Sequence, residues 1–339
     1  MAVYGRVQRQ LIGLLWGLVA AQPPAVPALS APIAAYEVAR LADGVHGFIW
    51  KNAFSDSIQG NALFIINDRD VVVVDTGLLP STARVMAAEL RKLTAKPVRY
   101  VINTHWHNDH HTGNAVYREL WPEVEFIGHR DTRADLIEKS YGARPKDLVD
   151  LQASIERYER WAATGKDDEG KPLEERRRAR AREIAALDRA VLPELKAAGE
   201  MPPGLTFVDQ LVLQRGDPTI EVRWLGRGNT RGDTVVVLPK ERIVATGDLL
   251  VHPVPFGILS YYEEWPVTLG KLDALPVDVL FPGHGPLLRD RAICARCRGC
   301  CARWSIASRR RWSRARRSRT RRNRSRSRTG RRRLPGTIR

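Results

Sequence analysis

The stretch Thr104-His105-Trp106-His107-Asn108-Asp109-His110 decides the fold of this chain. Its pattern, H-x-H-x-D-H, puts three imidazoles and a carboxylate within a few residues of one another. So short a run cannot present all four groups on one face of a helix, whereas a tight loop at a strand end can turn them toward one point. The preceding residues 98–103 are apolar and β-branched, which is typical of a strand. Because open α/β sheets place their sites at the carboxyl ends of strands, the stretch predicts a functional loop there.

Three later loops supply further candidate ligands. The segment 226–233 contains Asn229, a Thr-Gly-Asp run ends at Asp248, and a Pro-Gly-His-Gly run carries His284. Each follows a short apolar run of strand type. Neutral imidazole and carboxylate are the ligands that Zn(II) and similar first-row metals prefer. Four loops at the ends of four strands can converge on one metal cluster.

In this order, the motifs resemble those of the metallo-β-lactamase-fold superfamily. Val74-Asp75-Thr76-Gly77 also matches the early V-D-T-G turn of that family, and the resemblance covers roughly residues 36–288. It implies an α/β fold, specifically a four-layer αββα sandwich. In the family the aspartate of the early turn mostly braces the site loops, so Asp75 is expected to be structural.

The resemblance implies a site for two metal ions, Zn(II) being the expected metal. His105, His107 and the residue at 229 would hold the first ion, Asp109, His110 and His284 the second, and Asp248 would bridge both. A metal-bound hydroxide is a strong nucleophile, because the cations lower the pKa of bound water toward about 7. Asp109 is the expected catalytic residue, since it would orient the hydroxide and relay its proton. His111 and His129 are expected to lie outside the ligand set.

Asn229 departs from the pattern, because the family carries a histidine there in G-x-G-H-T. An amide oxygen is a neutral, harder and weaker ligand for zinc than imidazole, so the second position should bind more tightly. Three outcomes stay open. In the first, the site binds one metal ion. In the second, a harder ion, Mn(II) or Fe(II), occupies the first position. In the third, His252, four residues after Asp248, substitutes as a ligand.

Residues 131–204 differ in composition from the rest of the predicted domain, 32–290. Apolar residues recur at helical spacing on both sides of the turn 165–170. They are Leu148, Leu151, Ile155, Tyr158, Ile184, Leu187, Val191 and Leu195. This pattern predicts a charged helical hairpin inserted between the two halves of the domain. Two roles are open for this hairpin. It is a solvated spacer, or it forms a lid or a dimer surface that shapes the access of the substrate.

Residues 1–31 are typical of a secretory signal peptide. Arg6 and Arg9 precede an apolar run, 11–21, that is too short to span a bilayer, and small residues and prolines follow. We therefore expect a periplasmic or secreted protein with no transmembrane anchor after signal removal. The alternatives are an uncleaved membrane anchor and a plain N-terminal helix.

The tail 291–339 holds the basic character of the chain. It contains 20 arginines and no lysine or acidic residue, and subtracting these charges from the net +17 leaves −3 for residues 1–290. All four cysteines lie in it, at Cys294, Cys297, Cys300 and Cys301. The tail is predicted to be disordered. Three interpretations of the tail are open. Its cysteines bind a metal ion, or its arginines bind nucleic acid or anionic lipid. In the third, the tail is the out-of-frame product of a frameshift. The final helix of the resembled fold is expected to be missing, which would expose an apolar face.

The leading functional prediction is a metal-dependent hydrolase of a small-molecule amide, ester, lactone or thioester, with a β-lactam as the first specific candidate. One alternative is a non-catalytic metal- or ligand-binding protein of the same fold, with Asn229 marking lost activity. The other is nucleic-acid binding through the arginine-rich tail.

Overall fold

Two β-sheets form the framework of the protein. The computed structural model describes residues 35–51, 59–257 and 259–305. The predicted signal peptide and the tail beyond residue 305 lie outside the described residues. The strands are β1 Tyr36–Ala42, β2 Val45–Trp50, β3 Ala62–Ile66, β4 Val71–Val74, β5 Val98–Ile102, β6 Glu125–His129, β7 Leu205–Phe207, β8 Gln210–Leu213, β9 Ile220–Trp224, β10 Thr234–Leu238, β11 Ile243–Val251 and β12 Val279–His284.

The first sheet contains seven strands in chain order, β1 to β7. Strands β1 to β4 are antiparallel neighbours, and β4 to β7 run parallel. The turn 67–70 joins β3 to β4. All four valines of β4 are buried, as expected of a strand that is covered on both faces.

The second sheet has the order β12-β11-β10-β9-β8. Only β11 and β12 pair in parallel, and the other neighbours are antiparallel. Asn61 connects the two sheets: its Nδ2 donates to the carbonyl oxygens of Pro282 and Gly285, and its backbone N–H donates to Gly283. This contact holds the loop that carries His284 against the first sheet.

Helices cover the outer face of each sheet. They are α1 Pro80–Leu93, α2 Asn108–His111, α3 Asn114–Leu120, α4 Arg130–Asp135, a π-helix Leu136–Tyr141, α5 Arg144–Thr164, α6 Glu175–Ala197, α7 Trp265–Asp273 and α8, residues 292–305. One apolar cluster lies between the sheets, a second contains the buried side of α1, and a third contains the buried sides of α7 and α8. The predicted αββα sandwich is confirmed.

The helical hairpin is confirmed as α5 and α6, but its position in the fold differs from the prediction. The chain leaves β6, forms the insert, and returns to β7, which pairs with β6 through Ile127 and Leu205. The insert therefore interrupts the first sheet, and the chain crosses to the second sheet only afterward. The sequence did not reveal β7 because it is three residues long and largely exposed.

The expectation of a disordered tail from residue 291 and of a missing final helix was wrong for residues 292–305, which form α8. Ile293, Cys294, Cys297 and Cys301 are buried against α7 and the second sheet. Their spacing places them on one helix face. Cysteine behaves as a small apolar residue in a core, so these side chains pack at positions that aliphatic residues usually occupy.

The third apolar cluster is consequently covered rather than exposed. Its centre includes Trp265, Leu269 and Leu272 of α7, all fully buried. None of the helices in the described parts of the chain combines the length and the apolar character that crossing a bilayer requires.

Candidate metal centre

Four loops from the two sheets meet at one edge of the sandwich. After β5, Asn103 and Thr104 lead into a turn that places His105 and His107, and the short helix α2 then carries Asp109 and His110. The second sheet contributes Asp248, within β11, and His284, at the end of β12. The ligand residues expected from the sequence are therefore brought together from both sheets.

The expected first metal position lies among His105, His107, Asn229 and Asp248, of which only His105 and Asp248 belong to a candidate ligand group. His105 Nε2 lies 3.1 Å from His107 Nδ1 and 3.6 Å from Asp248 Oδ2. His105, His110 and Asp248 each offer a ligand atom, and these atoms lie within 4.8 Å of one another.

The second metal position is formed by Asp109, His110 and His284, whose ligand atoms also lie within 4.8 Å of one another. His284 Nε2 is 3.0 Å from Asp109 Oδ2 and 3.3 Å from His110 Nε2. Asp248 Oδ1 is 3.4 Å from His110 Nε2 and 3.5 Å from His284 Nε2. Asp248 thus faces the two expected positions with different oxygens, which is one of the arrangements open to a bridging carboxylate.

These donors fit divalent metal ions. Nε2 of His110 and Nε2 of His284 lie 3.3 Å apart, about the separation of two imidazole nitrogens bound to one tetrahedral zinc ion. Asp248 Oδ1 is buried and has no hydrogen-bond partner among the described residues. A buried carboxylate oxygen without a donor is costly, and a metal ion would remove that cost. Gly283 permits this approach, because a Cβ there would overlap Asp248 Oδ1.

The electrostatics favour positive charge at the centre. Burial alone lowers the pKa of His110, but Asp109, Asp248 and Asp75 raise it well above the usual value. Burial would raise the pKa of Asp109, but His110 and His284 hold it well below the usual range. Burial and the charge of His110 lower the pKa of His105 well below normal. The centre therefore combines a carboxylate whose ionised form is favoured, Asp109, with an imidazole whose neutral form is favoured, His105.

Asp75 braces the ligand loop, as the resemblance implied. Its Oδ1 accepts the backbone N–H of Thr104 at 2.8 Å. Its Oδ2 accepts the Thr104 hydroxyl at 2.8 Å and lies 2.8 Å from His110 Nδ1. The last contact fixes which His110 nitrogen faces the metal position. Asp75 itself is 2% exposed and has a positive φ of 61°.

Asn229 lies beside the first position. Its Nδ2 is 3.3 Å from His107 Nδ1, and its Oδ1 accepts the Ser260 hydroxyl at 3.3 Å. Asp233 shapes this loop by accepting the backbone N–H and the hydroxyl of Thr230. Burial raises the pKa of Asp233 to about 7.

The remaining histidines lie outside both ligand groups. His252 is not among the residues that converge on either position, although its backbone N–H donates to the His284 carbonyl. His111 is buried, and burial lowers its pKa to about 3. His129 stacks on Trp224, with ring centroids 5.4 Å apart, and its Nδ1 accepts the Asp131 N–H at the start of α4.

The start of the insert contacts the ligand loops. This contact was not predicted from the sequence. In the π-helix, the Ser140 hydroxyl donates to Asn108 Oδ1 at 2.6 Å and lies 3.2 Å from His111 Nε2. Asp135 is fully buried between Lys139, at 2.9 Å, and Arg231, at 2.7 Å. Arg231 lies two residues beyond Asn229, so Asp135 joins the insert to that loop. The polar residues of 135–140 follow no period that points to the site, so no sequence signal was available.

A cavity of about 100 Å³ separates α2 from the insert helices. The residues around it come from the ligand loop, α5 and α6: Asn108, Thr112, Arg144, Asp147, Leu148, Leu151 and Leu195. The insert therefore contacts the loop that carries Asp109.

Comparison with known proteins agrees with the fold. The model of the metallo-beta-lactamase superfamily matches residues 56–284, and the chain belongs to that superfamily. A metallo-beta-lactamase from Pontibacter korlensis has 17% sequence identity and a TM-score of 0.53, over 77% of this chain and 96% of that chain. The crystal structure of DIM-1 metallo-beta-lactamase has 16% identity and a TM-score of 0.52, over 78% of this chain and 96% of that chain. At these identities the two structures support the fold alone.

Proposed function

We propose that the protein is a metal-dependent hydrolase that cleaves an amide, ester, lactone or thioester bond of a small molecule. The observation that carries this proposal is the convergence of five buried or nearly buried ligands, with Asp248 facing both metal positions. A β-lactam is the first specific substrate to test. Zn(II) is the proposed metal, with Mn(II) or Fe(II) as candidates for the first position beside Asn229.

Each residue has a defined task in this proposal. His105, His107 and Asp248 would hold the first ion, and Asp109, His110 and His284 the second. Bound metal supplies a Lewis acid that polarises the scissile group and makes water a nucleophile near neutral pH. Asp109 would orient the attacking water and accept its proton. The charges of His110 and His284 favour the ionised form of this carboxylate by lowering its pKa.

The mouth of the centre suits a substrate with an apolar body. The loop between β11 and α7 reaches the site through Ser260 and presents Phe256 and Leu259, which are 53% and 74% exposed. On the other side, Trp106 packs against His107, with ring centroids 4.5 Å apart. Exposed apolar side chains beside a polar centre are expected where an organic substrate binds.

Metal content per chain is the first test, measured by elemental analysis of protein purified without chelators. About two ions per chain would support filling of both positions, and about one would support a mono-metal mechanism at the second position. The absence of bound metal even after addition of Zn(II) or Mn(II) would exclude the proposed hydrolase.

Asp109→Asn tests the catalytic assignment, since the amide keeps the shape but cannot take a proton. We expect turnover of the best substrate from a hydrolase screen to fall by at least about 100-fold. Metal content, measured alongside, would show whether the loss follows from poorer metal binding. Asp150→Asn, at an exposed ion pair on α5, is the matched control and should leave turnover unchanged. Full activity in Asp109→Asn would contradict the assigned role.

Asn229 favours a second candidate, a non-catalytic metal- or ligand-binding protein of the same fold. The reason is that a carboxamide stands beside the first position where an imidazole would bind zinc more strongly. Stoichiometric metal without turnover of any β-lactam, lactone, ester or thioester would favour this candidate.

We further propose export to the periplasm or the medium, on the strength of residues 1–31. Cell fractionation with N-terminal sequencing of the mature chain tests this, and a cytoplasmic chain that keeps Met1 would contradict it. Nucleic-acid binding through the arginine-rich tail is a separate proposal. It requires binding that weakens steeply with salt and vanishes when residues 306–339 are removed.

A further inference from the structure

We propose that the cavity between α2 and the insert binds a free aliphatic α-amino acid of the size of leucine. The ligand would place its carboxylate against Arg144, its ammonium group against Asp147 and its side chain against three leucines of α5 and α6. The inference goes beyond the proposed hydrolase activity and does not depend on it, because none of the residues around the cavity belongs to a candidate metal-ligand group.

One face of α5 supplies most of the cavity wall. The positions i, i+3, i+4 and i+7 of this face are Arg144, Asp147, Leu148 and Leu151. Leu195 of α6 adds to the apolar part, and Asn108 and Thr112 of α2 complete the wall. The two charged side chains belong to the first turn of α5 and the two leucines to the second. The cavity therefore has a charged end and an apolar end.

Arg144 is held in place but has no anionic partner. Its Nη1 donates to the Ala198 carbonyl at 2.7 Å, and its guanidinium carbon lies 4.9 Å from the ring centroid of Tyr141. Within the described parts of the chain, no carboxylate forms an ion pair with it. A guanidinium has further N–H donors besides the one used here, and its planar fork matches a carboxylate. Arg144 is therefore a preorganised group for binding a carboxylate ligand.

Asp147 is an unpaired anion at the same end of the cavity. Its carboxylate makes no hydrogen bond or ion pair with any residue that the structure describes. It does not pair with Arg144 either, although side chains three residues apart on a helix are neighbours, so their charged atoms lie more than 4.0 Å apart. The contacts of Arg144 with Ala198 and Tyr141 hold the guanidinium in that separated position.

A zwitterion fits between these two charges better than a singly charged ligand does. An α-amino acid carries its carboxylate and its ammonium group on the same carbon atom, so each can approach the side chain of opposite sign. A simple carboxylate would be repelled by Asp147, and a simple amine would be repelled by Arg144. The charged end of the cavity therefore selects for a ligand that has both groups.

The volume and the leucines select for an aliphatic side chain of moderate size. The cavity has a volume of about 100 Å³. Because an apolar cavity of about 150 Å³ holds a benzene molecule, the present one suits a side chain of about four carbon atoms. Leu148, Leu151 and Leu195 are partly exposed, and a bound aliphatic side chain would remove their apolar surface from water. Valine, leucine and isoleucine meet these conditions, whereas glycine is too small and tryptophan too large.

The bound amino acid would contact both the insert and the helix that carries two candidate metal ligands. Asn108 lines the cavity, accepts the Ser140 hydroxyl at 2.6 Å and directly precedes Asp109. A ligand that binds only the folded arrangement stabilises it. Binding should therefore raise the Tm of the full chain, which provides a readout without any enzymatic activity.

The first experiment is calorimetric titration of L-leucine into the full chain, with thermal unfolding in the same solutions. We expect saturable binding with a Kd of about 1 mM or below and a higher Tm. The compound 4-methylpentanoate lacks the ammonium group, and 3-methylbutylamine lacks the carboxylate. Each should bind at least about tenfold more weakly, the effect of one charged hydrogen bond. Glycine and L-tryptophan should not bind measurably.

Two substitutions assign the charged groups. Asp147→Asn and Arg144→Gln should each weaken L-leucine binding about tenfold or more. Asp147→Asn should leave the binding of 4-methylpentanoate unchanged or tighter, since it removes only a repulsion for that compound. Asp147 is exposed and unpaired, so this variant should fold as the unaltered chain does. Asp150→Asn, at an exposed ion pair with Lys146 on the same helix, is the matched control and should not alter L-leucine binding.

The contrary results concern this site alone. An absence of saturable L-leucine binding up to about 10 mM would overturn the inference. Equal affinities for L-leucine and 4-methylpentanoate, or unchanged affinity in both Asp147→Asn and Arg144→Gln, would overturn it as well. None of these results bears on the hydrolase proposal, which metal content and turnover test separately. A chain that binds no metal would exclude the hydrolase and leave this inference intact.

Discussion

At the scale of single residues, Asp75 shows how a buried carboxylate organises the centre without being a ligand. It accepts two hydrogen bonds from Thr104 and positions His110 from the side opposite the metal position. Because burial raises its pKa, its charge is sustained by those donors rather than by water. One residue therefore determines both the path of the ligand loop and the orientation of a ligand.

Asp75→Ala should lower the free energy of unfolding by about 3 kcal/mol or more, since it leaves a buried backbone N–H, a hydroxyl and an imidazole without their acceptor. Chemical denaturation measures this change, and Zn(II) content should fall in the same variant. Asp43→Ala, at a fully exposed ion pair with Arg40, is the control and should stay within about 0.5 kcal/mol. A loss below about 1 kcal/mol in Asp75→Ala would refute the bracing role.

At the scale of elements, the insert contacts the ligand loop and the final helix covers the second sheet. The amino-acid composition of these two segments does not indicate either role. The π-helix brings Ser140 and Lys139 to the ligand loop, with Lys139 Nζ 5.5 Å from the Trp106 ring centroid. Short π-helical segments occur often at functional sites, because the extra residue redirects side chains. Helix α8 closes the outer face of the second sheet with cysteines instead of aliphatic residues.

Asp135→Ala tests whether the insert braces the centre. It would leave Lys139 and Arg231 without their shared, fully buried partner, and we expect a loss of about 2 kcal/mol in the free energy of unfolding together with weaker Zn(II) binding. Glu159→Ala removes an exposed ion pair with Arg189 between the hairpin helices and should cost less than about 1 kcal/mol. Equal effects of the two substitutions would show that the insert is only a spacer.

The thiols of α8 test its packing. Cys294, Cys297 and Cys301 are fully buried, whereas Cys300 is partly exposed. A thiol reagent at neutral pH should therefore label one cysteine quickly in the folded chain and all four after denaturation. Rapid labelling of all four under native conditions would show that α8 does not pack against the second sheet.

The same thiols predict a pH dependence of stability. Burial raises the pKa of Cys294 to about 11 and those of Cys297 and Cys301 to about 12. In the unfolded chain the thiols ionise near their usual value, about 8.5. The folded state therefore binds more protons than the unfolded state above that pH, and stability should fall as pH rises from about 8.5 toward 11. Cys297→Ala should show a shallower decline, measured by denaturation at several pH values.

At the scale of the whole molecule, the metal centre links the two sheets. His105, Asp109 and His110 follow β5 of the first sheet, and Asp248 and His284 lie in β11 and β12 of the second. A ligand that binds the folded chain and not the unfolded one stabilises it by about 2.7 kcal/mol at a hundred times its Kd. In a domain of this size, that corresponds to a change in Tm of about 5–10 °C.

Metal removal should therefore lower the Tm of the protein by about that amount. Calorimetric scans before and after treatment with a chelator measure it, and re-addition of Zn(II) should restore the original value. A Tm that does not respond to the chelator in protein shown to contain metal would contradict a centre that joins the sheets.

Much of this architecture follows from local sequence. The apolar strand runs, the helical spacing in 148–195 and the H-x-H-x-D-H stretch predicted strands, a helical hairpin and a ligand loop, because periodicity and ligand chemistry are properties of short segments. Strand β7 and helix α8 were not predicted from the sequence. The first is too short to show a pattern, and the second has cysteines on its buried face.

The sequence by itself determined the membership of the superfamily, the sandwich, and the residues that converge as candidate ligands, with Asn229 as the departure among them. Only the tertiary structure decided how Asn229 is oriented, that Asp135 and Ser140 brace the ligand loops, and that His252 lies outside both ligand groups. The reason is physical. Ligand identity is a property of residue type, whereas orientation and bracing depend on contacts between segments far apart in the chain.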